Sequence, residues 1–83
     1  MILTGKCKED FIKTKIGNEI NLFESMLPIY KNALLIEWFD TISYENSTLW
    51  EYCFEHVYSN NIKSFKEIVI KSIKKANEIY NSN

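Results

Sequence analysis

Pro28 stands at the head of a stretch, Pro28 to Ser43, in which apolar side chains recur on almost every side of a helical wheel. Proline suits the first position of a helix, where its missing N–H would have no partner anyway, and with Leu27 before it Pro28 opens the clearest element in the chain. At about 100° per residue, Tyr30, Leu34, Leu35, Trp38, Phe39 and Ile42 fall on one continuous face, which Ile29, Ala33 and Ile36 widen. Only a strip holding Glu37, Asp40 and Thr41 stays polar. A helix so nearly apolar all round has to be surrounded, so it is expected to be the central post of the core. The chain has 83 residues with which to surround it, which is one domain, residues 1–83. A domain of this size buries only about 60% of the surface its unfolded chain exposes, so its stability should be thin. With 46% apolar residues and 14% aromatics it is too apolar for disorder, and self-association or docking on a larger protein would relieve the shortage of core.

Two further helices read clearly. One runs from about Gly5 to Lys15, with Thr4 as N-cap, Glu9 and Asp10 near its positive end, and a modest stripe of Cys7, Phe11, Ile12 and Ile16. Gly17-Asn18 breaks it, and the spacing of Ile20, Phe23 and Leu27 suits one or two loose helical turns over 19–26. The other runs over 64–80. It opens on Ser64-Phe65-Lys66-Glu67, a capping-box spacing in which hydroxyl and carboxylate satisfy free backbone donors reciprocally. Phe65, Ile68, Val69, Ile73, Ala76 and Tyr80 line its inner face, Glu67–Lys71 and Lys74–Glu78 pair outside, and the tail Asn81-Ser82-Asn83 is expected to fray. Asn60-Asn61 reads as the preceding turn.

Thr48 to Tyr58 admits two readings. As a helix, Leu49, Trp50, Cys53, Phe54, Val57 and Tyr58 share a face behind a second capping box, Thr48-Leu49-Trp50-Glu51. As a strand, Trp50, Tyr52, Phe54, His56 and Tyr58 alternate, but the opposite face is neither wet nor dry. The helix fits better. The expected fold is therefore mainly α, a small single-domain helical bundle around the 28–43 helix. The alternative is an α+β form with a short β-hairpin within residues 42–58.

The residues offer little for catalysis. His56 is the sole histidine, and its neighbour Glu55 points elsewhere on either secondary structure. Glu51 and Glu55 with His56 could begin a metal site, but such spacing is far more often a solvated face. Two glycines cannot build a phosphate cradle, and Cys7 and Cys53 lie far apart without a C-x-x-C. We expect no enzyme, no cofactor and no metal, and reduced thiols in a cytosol. The polar N-terminus and the arrest of the apolar run Ala33–Ile36 at Glu37 predict neither secretion nor a membrane span.

Charge order says more than the net value of -1. Residues 1–15 carry four Lys against two acids, 16–62 one Lys against seven acids, and 63–83 five Lys against two acids. All ten basic residues are Lys, so the bidentate guanine contacts of Arg are missing, which argues against sequence-specific DNA reading. Beside the plain reading as solvated faces stand two partner-binding ones. Lys66, Lys71, Lys74 and Lys75, joined by Lys6, Lys8, Lys13 and Lys15, could meet phosphates in salt-sensitive, sequence-tolerant contacts. Alternatively the belt of Glu37, Asp40, Glu45, Glu51 and Glu55 could sit in a basic groove of a partner as a nucleic-acid mimic.

Three blocks carry a resemblance: Leu3-Thr4-Gly5-Lys6-Cys7-Lys8-Glu9-Asp10-Phe11, then Leu27-Pro28 with Ile36-Glu37-Trp38-Phe39-Asp40, then Ile73-Lys74-Lys75-Ala76-Asn77-Glu78-Ile79-Tyr80-Asn81. Together, over roughly half the chain, they resemble small phage and prophage proteins of Bacteroidota. That family continues the middle block as Phe-Asp-Ser-Val-Gly and strand-like sequence, where this chain has Phe39-Asp40-Thr41-Ile42-Ser43. The resemblance implies a phage accessory protein in the cytoplasm of a bacterial host, with no catalytic residues to carry over. Taken with the absence of catalytic chemistry and the split charge, it leads us to expect an anti-CRISPR inhibitor that binds a type VI-B effector or its guide RNA. The alternative is a small phage structural or regulatory module with another protein partner.

Overall fold

A computed structural model describes residues 1–44, 47–59 and 64–82. Helix α1 (Gly5–Phe11) widens without a break into a π-helical segment, Ile12–Ile16, and a 3₁₀ turn, Gly17–Glu19, leads into α2 (Ile20–Ser25). Then come α3 (Pro28–Thr41), α4 (Leu49–Tyr58) and α5 (Phe65–Ser82). The fold is mainly α, as the periodicity predicts. The hairpin alternative fails because 49–58 is helical. All that precedes α4 is a minimal antiparallel ladder of two residues a side, β1 (Ser43–Tyr44) with β2 (Ser47–Thr48).

Local chemistry explains most of these boundaries. Pro28 occupies the first turn of α3, and the Lys31 N–H donates to the Leu27 carbonyl at 3.1 Å. Thr48 caps α4: its Oγ1 accepts the Glu51 N–H at 3.3 Å and donates to Asp40 Oδ1 at 3.2 Å, tying the start of α4 to α3. Gly17, at φ +60°, ends the π segment in left-handed backbone that other residues adopt only with strain. Within that segment the Thr14 hydroxyl donates to the Asp10 carbonyl at 2.7 Å and accepts from Trp38 Nε1 at 3.1 Å, so its one hydrogen and a lone pair are both used.

One cap departs from expectation. Thr4 is extended, as an N-cap should be, but its side chain caps nothing on α1. Asn81 does so from α5, its Oδ1 accepting the Cys7 N–H at 2.8 Å while its Nδ2 donates to the Thr4 carbonyl at 3.0 Å. Asn77 completes the clasp: its Oδ1 accepts the Thr4 N–H at 3.0 Å and its Nδ2 donates to Thr4 Oγ1 at 3.0 Å. The predicted fraying of Asn81 and Ser82 is thereby corrected, since α5 is helical through Ser82 and the Asn81 amide is bonded to both Cys7 and Thr4 at the other end of the chain.

The core runs from Leu3, Cys7 and Phe11 through Phe23, Leu35, Trp38 and Phe39 to Leu49, Cys53, Val69, Ile73 and Ala76. Its centre is aromatic. Phe11 meets Phe23 and Trp38 edge-on, each with ring centroids 5.3 Å apart, and Trp38 lies 5.1 Å from Phe39 and 5.5 Å from Tyr80. Helix α3 is the post of this bundle only along its second half. Leu35, Trp38 and Phe39 are buried, whereas Ile29 is 71% and Tyr30 61% exposed and Ala33 is exposed too. With few residues left to cover them, the first two turns present their apolar sides to solvent.

Candidate partner-binding surface

Helix α5 carries the predicted basic residues, but not on one face. Lys66, Lys71 and Lys74 line a shallow groove of about 370 Å³ with Ser64, Glu67 and the half-buried Ile70. At 3.6 residues per turn Lys75 lies about 180° from Lys66, on the edge of α5 nearer α4, where its charge acts on Cys53, and it does not line that groove. Lys71 Nζ is 3.2 Å from Glu67 Oε1 with both side chains about half exposed, a pair worth little in stability that still reduces the local positive charge. Of the two pairs expected on the outer side of α5, this is the one that closes to ion-pair distance among the described residues. In the π segment after α1, Lys15 is taken by Glu37 at 2.7 Å and Lys13 is exposed, as are Lys6 and Lys8 on α1.

The acidic belt is shorter than the sequence suggests. Glu37 is spent on Lys15 and Asp40 on Thr48, and Glu45 lies outside the described residues. Glu51 and Glu55 remain, one turn apart on the outer side of α4, both exposed. His56 is exposed on the same helix. Among the described residues, no three His, Cys, Asp or Glu side chains come together in a way that could hold a metal ion.

The two thiols are deep in the core. Burial pushes Cys7 up to about 12, with the charge of Asp10 adding to it, and pushes Cys53 up to about 11 against the opposing charge of Lys75. Neither is a thiolate, and so neither is a nucleophile, at neutral pH. Tyr80 donates to Asp10 Oδ2 at 2.6 Å, and that bond first, then burial and the nearby charges, raise its hydroxyl to about 12. Such a group holds its proton and serves as a strut between α5 and α1. No helix among the described residues is long and apolar enough to cross a membrane.

A second, roomier groove is one that the sequence does not mark as a site. Between the first turns of α3 and α5 lies an apolar groove of about 570 Å³, walled by Leu27, Ile29, Ala33 and Ile36 on one side and by Phe65 and Val69 on the other, with Lys66 on its rim. It runs on into an aromatic ladder along α4. Trp50 and Phe54 are 5.7 Å apart, Phe54 and Tyr58 stack at 6.1 Å, and Phe54 meets Phe65 edge-on at 6.4 Å. The one signal for it lies in α3, whose apolar residues outnumber what one side of a helix can bury.

Compared with known family models, curated protein sequences and solved structures, the chain matches none.

Proposed function

We propose that this chain is a binding protein without catalysis of its own, a phage-encoded anti-defence inhibitor of the anti-CRISPR kind. Its partner on this reading is a type VI-B effector or the guide RNA that the effector carries. One observation supports the contact surface: Lys66, Lys71 and Lys74 share a groove on α5 with Ile70 and one acid, Glu67, so the strip is basic on balance. Lysines on a rigid helix meet phosphates as point charges, tolerant of sequence and weakened by salt. The identity of the partner rests on the three-block resemblance. Occupation of the guide's backbone, or of the channel that should receive it, would block productive loading. The competing reading, a small phage structural or regulatory module, keeps protein docking and drops the RNA.

The test mixes the pure protein with effector and guide and follows guide binding and target-RNA cleavage. Inhibition is expected, and unchanged cleavage at saturating protein rejects the reading in favour of the competing module. Lys71→Glu with Lys74→Glu is expected to weaken binding and to lower the salt slope by about 0.7 for each single-strand phosphate that is no longer neutralised. Reversing Glu51 and Glu55 to Lys tests the mimicry version, in which the acidic pair enters the basic channel of the effector.

A further inference from the structure

We propose that the groove between α3 and α5, with the aromatic ladder of α4, is the interface of a two-fold dimer of this chain. The inference does not rest on the proposed partner. It starts from surface that the monomer leaves uncovered. Leu27, Ile29, Tyr58 and Phe65 are between 63% and 71% exposed, and side chains of this kind carry on the order of 200 Å² each. These four alone therefore set out roughly 500 Å² of apolar surface, the upper range for the largest patch on a monomer. The whole chain exposes 5691 Å², against about 5200 Å² expected for a folded 9.9 kDa monomer. A stable dimer needs about 800 Å² from each partner, and the half-buried Ile36 and Phe54, with the exposed Pro28, Ala33 and Lys66 of the same groove, extend the face towards that size.

Charge selects the occupant. Lys66 stands on the groove rim, on α5, and Glu51 and Glu55 border the ladder on α4, three residues from Phe54 and Tyr58. None of the three has an ion-pair partner among the described residues. A two-fold axis near Phe54 and Phe65 lays the Lys66 side of one copy on the Glu51 and Glu55 side of the other, twice, so the face is complementary to itself. The net charge of -1 opposes association only weakly. Lys71 and Lys74 sit on the far flank of α5 from Phe65 and Val69, and the dimer leaves them outside.

Light scattering on the eluting 83-residue protein, at micromolar concentration, tests the proposal. The wild-type chain is expected at twice its own mass. Phe65→Glu is expected at the monomer mass with unchanged far-UV circular dichroism. Should that variant lose helicity, Ile29→Lys on the opposite wall, equally exposed, takes its place. Lys66→Glu is expected to weaken dimerisation about tenfold, the worth of one partly desolvated charge pair on each side, and Lys66→Glu with Glu55→Lys to recover most of that loss. A monomeric wild-type chain overturns the proposal, as does a dimer indifferent to Phe65→Glu and Ile29→Lys. Failure of the charge swap to recover association overturns the two-fold register.

Discussion

Asn81 Oδ1 accepts the Cys7 N–H at 2.8 Å, so the last helix caps the first across a separation of 74 residues. An N-terminal turn leaves its backbone donors without partners, and satisfying one normally falls to a side chain immediately before the helix. Here Thr4 is turned into the Asn77–Asn81 clasp, and the cap belongs to the tertiary structure.

Asn81→Ala should therefore cost about 1 kcal/mol, the usual worth of an N-cap, and more where the Thr4 carbonyl is left without its donor. Urea denaturation followed by circular dichroism reads the loss. Gly5→Ala strikes the same place twice. Gly5 has φ +57°, and a Cβ there would stand 3.3 Å from Asn81 Oδ1. The left-handed conformation alone costs about 1–2 kcal/mol for an L residue, and the two substitutions should couple rather than add.

Tyr80→Phe removes the 2.6 Å bond to Asp10 and leaves the ring against Trp38. The tyrosine hydroxyl has a folded pKa of about 12, above its ordinary value of 10.0. Its contribution to stability is thus fully present below pH 10 and is lost as pH rises through 12, because the folded state there holds a proton that the unfolded state has released. The difference in stability between wild type and Tyr80→Phe should be constant to about pH 10 and shrink above it. A difference that grows with pH would contradict the assignment of the Asp10 bond.

Cys7 and Cys53 are wholly buried. In the native protein at neutral pH both should resist alkylation for as long as the fold holds, and both should react at once in denaturant. Mass spectrometry counts the labels. Labelling of Cys53 alone would report that α4 and α5 separate while α1 stays docked.

Ser72 has the one buried side-chain oxygen without a hydrogen-bond partner among the described residues. Ser72→Ala removes an unsatisfied hydroxyl and introduces the best helix former, so it should stabilise by about 1 kcal/mol, a raised urea midpoint with an unchanged slope.

Phe11 makes the opposite case. It is fully buried and touches Phe23 and Trp38. Phe11→Ala should cost about 3–5 kcal/mol. A domain of 83 residues has about 4–12 kcal/mol in all. The variant should sit at the edge of unfolding, with Trp38 fluorescence shifted towards its value in water.

What the chain alone determined is its helices. Pro28 before an apolar run, the hydroxyl of Thr48 three residues from the Glu51 N–H, and the spacing of Ile68, Val69, Ile73 and Ala76 are relations within four residues or so, and helical geometry makes them decisive. Tertiary packing decided the rest. A wheel drawn for α3 shows apolar residues all round but not which of them the other helices will reach. The structure covers Leu35, Trp38 and Phe39 and leaves Leu27, Ile29 and Phe65 facing one another across an open groove. Likewise the wheel spreads the α5 lysines from Lys66 round to Lys75, and only docking decides that the Lys75 edge meets α4 and Cys53. The Asn81–Cys7 cap, the Tyr80–Asp10 strut and the groove all join residues far apart in the chain, and such contacts exist only once the helices have packed.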